Sequence, residues 1–175
     1  INLDAELQEA KLTEQLPPID VARFMPDATP GASPALVSEA AALLKGAKNP
    51  VIVVGRTSRS MEGWNERVAL AETLNAKVIT DLKCAAGFPT DHPLHAGVPA
   101  GAAMTAEASA ALKAADVILA LDCVDLNGVL RGGFGFDPPK AKVINVSADF
   151  HVHNGWSMDY EALPPVDVLL VTTSE

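Results

Sequence analysis

The stretch NPVIVVGRTSRS, residues 49–60, decides the fold. Four branched apolar residues in a row, Val51 to Val54, with no polar alternation, suit a parallel strand buried on both faces. Gly55 ends the run, where a phosphate-cradling turn would begin. The further glycines of such a turn are missing, and Arg56 and Arg59 stand near their places.

Working outward, the same type of apolar run recurs. Residues 77–80 read as a second strand, 94–96 as a short third, 117–121 (VILAL) as the clearest buried strand, 143–146 as a fifth and 168–171 as the last. Helical patterns lie between them. Ser33-Pro34 supplies an N-cap and a first-turn proline. Leu36, Val37, Ala40, Leu43 and Leu44 then form an apolar face, with Gly46 as a left-handed stop. Trp64, Val68, Ala71 and Leu74 share one helix face that ends at Asn75. Thr105 caps an alanine-rich helix to about Ala115, and residues 125–131 form a short helix. Arg131 to Phe136, RGGFGF, carries no lysine or serine at P-loop spacing and reads as a turn.

Strands alternating with helices predict a three-layer α/β/α, doubly wound parallel sheet of about six strands, Rossmann-like, in the order 3-2-1-4-5-6. The strands ending at Val54 and Leu121 are then neighbours. Ligands of such folds bind at the carboxyl ends on either side of that switch point. Gly55, Arg56 and Thr57 lie on one side, Asp122 and Cys123 on the other.

Residues 1–32 differ. Five prolines occur by Pro34, and LPPID and MPDATPGASP predict extended linker. Residues 3–16 suit a short helix or a strand end. The domain proper is expected over 33–175.

The 175 residues are 49% hydrophobic but only 5% aromatic, which suits helices on a parallel sheet better than an all-β sandwich. A formal charge of -9 repels phosphate backbones and argues against nucleic-acid binding. No apolar run reaches the roughly 20 residues of a membrane span. Cys84 and Cys123 form no C-x-x-C pair and read as free thiols in a reducing, cytoplasmic setting. His92 and His95, and His151 and His153, are spaced closely enough to raise a metal site. Without a third converging ligand they read as loop histidines. Trp64 and Trp156 read as core or interdomain anchors.

AKNPVIVVGR, LAETLNAKVIT, GFPTDHPLHAG and ADVILAL, in that order, resemble the central domain of thiamine-diphosphate-dependent enzymes. The family includes acetolactate synthase, benzoylformate decarboxylase, pyruvate oxidase and oxalyl-CoA decarboxylase. The likeness runs from Ser33 to Val146 with a tail to Val171, and INLDAELQEAKL looks like the end of a preceding domain. It implies a parent enzyme acting on a 2-keto acid as decarboxylase, carboligase or oxidase, and a homo-oligomer. Thiamine diphosphate and magnesium would lie between flanking pyrimidine-binding and pyrophosphate-binding domains. No catalytic or metal residue is then expected in this chain.

Some members hold FAD, ADP or CoA in the central domain. Those with flavin have a triple-glycine-like turn after the first strand, where this sequence has Gly55-Arg56-Thr57. They have Gly-Ala-Arg-like residues after the fourth, where it has Asp122-Cys123-Val124, and Gly-Asp near the end, where it has Leu170-Val171-Thr172. The equivalent crevice would comprise Gly55, Arg56, Thr57, Thr80, Gly97, Asp122 and Asp149. Asp149 stands near an acidic residue that some members use on a ribose, and by itself reads as a turn or cap aspartate. Opposite charges at two neighbouring strand ends predict that Arg56 or Arg59 pairs with Asp122. The main expectation is a structural central domain without a nucleotide. The alternatives are a module retaining FAD, ADP or CoA, and an independent NAD-dependent enzyme. The last is disfavoured by the missing glycine-rich loop and the missing C-x-x-C zinc pairs.

Overall fold

A computed structural model describes residues 4–15, 17–25, 31–81, 84–98, 104–149 and 162–174. Among the described residues six strands form one parallel sheet in the order β3-β2-β1-β4-β5-β6. They are β1 Pro50–Val54, β2 Lys77–Thr80, β3 His95–Gly97, β4 Val117–Leu121, β5 Lys142–Val146 and β6 Val168–Leu170. β1 and β4 are the central pair, with Val51 beside Ile118 and Val54 beside Leu121. Every residue of both strands is buried. That is why they read as unbroken apolar runs.

Side chains alternate between two helical layers. Ile52, Val54, Val78, Leu119 and Ile144 face one layer, which holds α2 Pro34–Gly46 and α3 Met61–Leu74. Val51, Val53, Ile79, Ile118 and Val143 face the other, built from α4 Ala106–Ala114 and α5 Leu126–Phe134. Three helix starts are capped by side chains. Ser60 accepts from the Gly63 amide, Thr105 from Ala108 and Asp125 from Gly128. α3 ends on Asn75, which takes the left-handed conformation at φ 49°.

Two local expectations need correction. α2 does not stop on a left-handed glycine. Gly46 is its last helical residue, and Ala47 is already extended. Nor does the Ser33 side chain cap it. The path from helix to strand is set instead by Asp116, whose carboxylate accepts from the Lys48 amide at 2.6 Å and the Asn49 amide at 3.0 Å. The second correction concerns RGGFGF. Arg131 to Phe134 are the last turn of α5 rather than a loop, and Gly135, at φ 68°, and Phe136 lie beyond the helix. Gly132 and Gly133 are there because α4 and its approach pack close. A Cβ would lie 2.3 Å from Met104 Cε at the first and 2.7 Å from Leu112 Cβ at the second.

The Asp116 clamp carries a pH prediction. Burial raises its pKa, but the Lys48 and Asn49 amides outweigh this and hold it below the ordinary carboxylate value. Its contribution is therefore present above the unfolded value near 4 and lost as pH falls through the lower folded value. Asp116→Asn is expected to cost about 1 kcal/mol at neutral pH, allowing for solvent screening. It should also flatten the acid limb of stability measured by urea titration from pH 7 to 3.

The described residues before Gly31 include a short helix, α1 Ala5–Glu9, and a 3-10 turn, Val21–Phe24. Leu12, Ile19, Val21, Phe24 and Met25 are all exposed. Among the described residues no helix is long and apolar enough to cross a membrane.

Candidate functional site at the switch point

The ends of β1, β4 and β5 meet at the carboxyl edge. The Gly55 amide donates to Leu121 O and the Arg56 amide to Asp122 O, both at 2.9 Å, while the Asp122 amide donates to Val146 O at 2.7 Å. Asp122 is left-handed at φ 49°, a conformation that glycine adopts freely and aspartate tolerates. Gly55 is required by contact. A Cβ there would lie 2.2 Å from the Asp122 carbonyl oxygen and 2.7 Å from Cys123 Cα.

The expected ion pair is present, and Arg56 makes it. Arg56 Nη2 donates to Asp122 Oδ1 at 2.9 Å and also pairs with Asp149 Oδ2. The buried Ser147 hydroxyl donates to the same Asp122 oxygen at 2.6 Å and accepts from the Asp149 amide at 3.1 Å. Arg56, Asp122, Ser147 and Asp149 thus close a ring. Partial burial pulls the guanidinium pKa down, but hydrogen bonds to Asp149 and Asp122 outweigh it and raise the pKa above its ordinary value.

The other candidates are not part of the ring. Thr57 adjoins the ring in sequence, but its Oγ1 is buried without a hydrogen-bond partner. Thr80 is buried at the end of β2 and shares a 2.9 Å hydrogen bond with His95 Nε2. Gly97 is on the edge strand β3, at φ 109°, where a Cβ would meet Thr105 Oγ1 at 2.2 Å. Its place is set by the start of α4. His92 is fixed in the loop, accepting from the Leu94 amide at Nδ1 while Nε2 faces Glu72. His151, His153 and Trp156 lie outside the described residues. Among the described residues no group of three or more His, Cys, Asp or Glu side chains is placed to hold a metal ion. Burial, then the Asp81 carboxylate, raises the pKa of both the Cys84 and the Cys123 thiol, so neither is an activated nucleophile.

Glycine turns hold a dinucleotide pyrophosphate by letting amides at the start of a following helix approach it. Here five residues separate Gly55 from α3, and the Gly63 amide is taken by Ser60. Two carboxylates already occupy the nearest cation. Ser147 was not singled out in the sequence, although its position one residue beyond β5 puts it at the carboxyl edge. The buried Arg67 was also missed. It donates from Nε to Gly87 O and from Nη2 to Ser58 O, both at 2.9 Å, tying together the loops after β1 and β2.

Strand order, crossovers and switch point define a doubly wound α/β domain. The family profile described as thiamine pyrophosphate enzyme, central domain, matches residues 37–164. The chain belongs to that family. It is 31% identical over 150 residues to the acetolactate synthase large subunit of Corynebacterium glutamicum, covering 85% of this chain and 23% of that one. It is 36% identical over 149 residues to a sulfoacetaldehyde acetyltransferase of Rhodobacter capsulatus, covering 83% and 24%. Benzoylformate decarboxylase from Polynucleobacter necessarius has the same fold, with a TM-score of 0.60 at 24% identity over 92% of this chain and 28% of that one. The chain thus spans about a quarter of the length of the curated relatives it matches. The family assignment displaces the NAD-dependent alternative.

Proposed function

We propose that residues 33–175 form the central, mainly structural domain of a thiamine-diphosphate-dependent enzyme acting on a 2-keto acid, with residues 1–32 as linker and the end of a preceding domain. The family match over residues 37–164 carries this reading. The length of the relatives supports flanking domains in the same polypeptide. Thiamine diphosphate with magnesium, held by those domains, supplies the carbanion chemistry of cleavage or ligation next to a carbonyl. On this reading the parent is a cytoplasmic homo-oligomer.

The domain's part is to orient the others. Its carboxyl edge suits that part, because the last described residues return there: the Ser174 hydroxyl donates to the Arg56 carbonyl at 3.5 Å. The alternative of a module retaining FAD, ADP or CoA is disfavoured by the carboxylates around Arg56. The test compares 2-keto acid consumption, with thiamine diphosphate and magnesium, by the full-length parent and by this chain alone. Activity confined to the parent is expected. Turnover by the isolated chain would overturn the division of labour, and a parent inert towards every 2-keto acid tried would overturn the substrate class.

A further inference from the structure

We propose that the switch-point crevice holds an internal ligand: the Asp122 and Asp149 carboxylates occupy, on Arg56, the place where a doubly wound domain holds the two phosphates of a pyrophosphate. The chain therefore refuses pyrophosphate-bearing ligands. It does so by occupying the anion's place beside Arg56 from within. This inference stands apart from the thiamine reading, because it concerns only side chains of this domain.

Three observations carry it. The first is position. Arg56 stands two residues beyond the end of β1, one of the two central strands, at the edge where such folds bind phosphate. It is also half-exposed, with 41% of its side chain open, so an anion could reach it. The second is the ring. One guanidinium nitrogen is shared by two carboxylates from different strand ends, and the Ser147 hydroxyl donates to the inner one. A guanidinium shared by two negative groups, with a hydroxyl donating to one of them, is the kind of donor set that a pyrophosphate would need. The third is the backbone. Asp122 sits at φ 49°. A turn whose geometry suits glycine thus carries a carboxylate instead, and that carboxylate aims at the guanidinium. Removing it by Asp122→Gly leaves a residue that adopts this conformation without strain.

An added phosphate would compete with two tethered carboxylates and meet their repulsion. Taking both away leaves Arg56 and Ser147 as donors without acceptors. The test is calorimetric titration with inorganic pyrophosphate and with ADP on three proteins: the unaltered chain, Asp122→Gly/Asp149→Ala, and the same pair with Arg56→Gln added. Circular dichroism checks that each is folded. The unaltered chain is expected to show no saturable binding at millimolar ligand. The double variant should bind pyrophosphate at least about ten-fold more tightly, with affinity falling as salt rises. The triple variant should lose that gain.

Equal affinity in the unaltered chain and the double variant would overturn the proposal. So would a folded double variant that gains nothing, or a gain that survives loss of Arg56. ADP binding without pyrophosphate binding would point to the adenosine half and overturn it too. Should the double variant not fold, the Arg56 side-chain NMR signals of the unaltered chain decide. Indifference to millimolar pyrophosphate is expected, and a saturable shift refutes the idea.

Discussion

Gly55→Ala is expected to destabilise the domain by about 3 kcal/mol, the upper part of the range for overpacking a close contact. Its new Cβ would meet backbone, with the Asp122 carbonyl oxygen at 2.2 Å and the Asp122 carbonyl carbon and Cys123 Cα each at 2.7 Å. A flexible side chain could swing away from such a clash, but these atoms are pinned by the sheet. Gly55 and Arg56 donate to Leu121 and Asp122, and Asp122 in turn donates to Val146. Relief requires the ends of β1 and β4 to part, which stretches the two bonds that hold them. Thermal unfolding followed by circular dichroism should show a midpoint lower by roughly 6–12 °C for a domain of this size. A midpoint within a degree of the original would mean that the strand ends yield easily, and that the Arg56 ring is not held by them.

Arg67→Met should cost about 2–4 kcal/mol. Arg67 is 5% exposed. Methionine keeps the apolar stem packed but removes the donors that reach Gly87 O and Ser58 O. Two loop carbonyls lose a charged partner at once. Hydrogen exchange should rise in residues 57–60 and 84–88 together, because one side chain serves both. Arg67→Lys should recover little, since an ammonium cannot reproduce the two-point fork. Faster exchange in only one loop, or full rescue by lysine, would refute a shared clamp.

The sheet was legible because its strands are buried on both faces, which removes polar alternation and leaves runs such as PVIVV and VILAL. Neighbouring strand ends with opposite charges also made the Arg56–Asp122 pair readable. Its extension to Asp149 was not, because Asp149 looks like any turn aspartate until Ser147 is seen holding its amide. Thr80 stands beside Val54 at the crevice, and Gly97 lies one strand further out, but neither joins the ring. They end β2 and β3, and one is spent on His95 while the other makes room for Thr105. The glycines of RGGFGF misled because what they accommodate is more than 20 positions away in sequence, in Met104 and Leu112. Close helix packing and a flexible turn look alike in composition.

The strand order has a consequence for how the chain is made. β1 is completed on one side by β2, but its other edge waits for β4, where Pro50 pairs with Val117. At the ribosome's pace of roughly 5–20 residues per second, that second neighbour arrives several seconds later. For that interval the nascent chain exposes an apolar strand edge that can template pairing with another copy. Yield during synthesis should therefore depend on holding residues 50–54 apart until residue 121 has emerged.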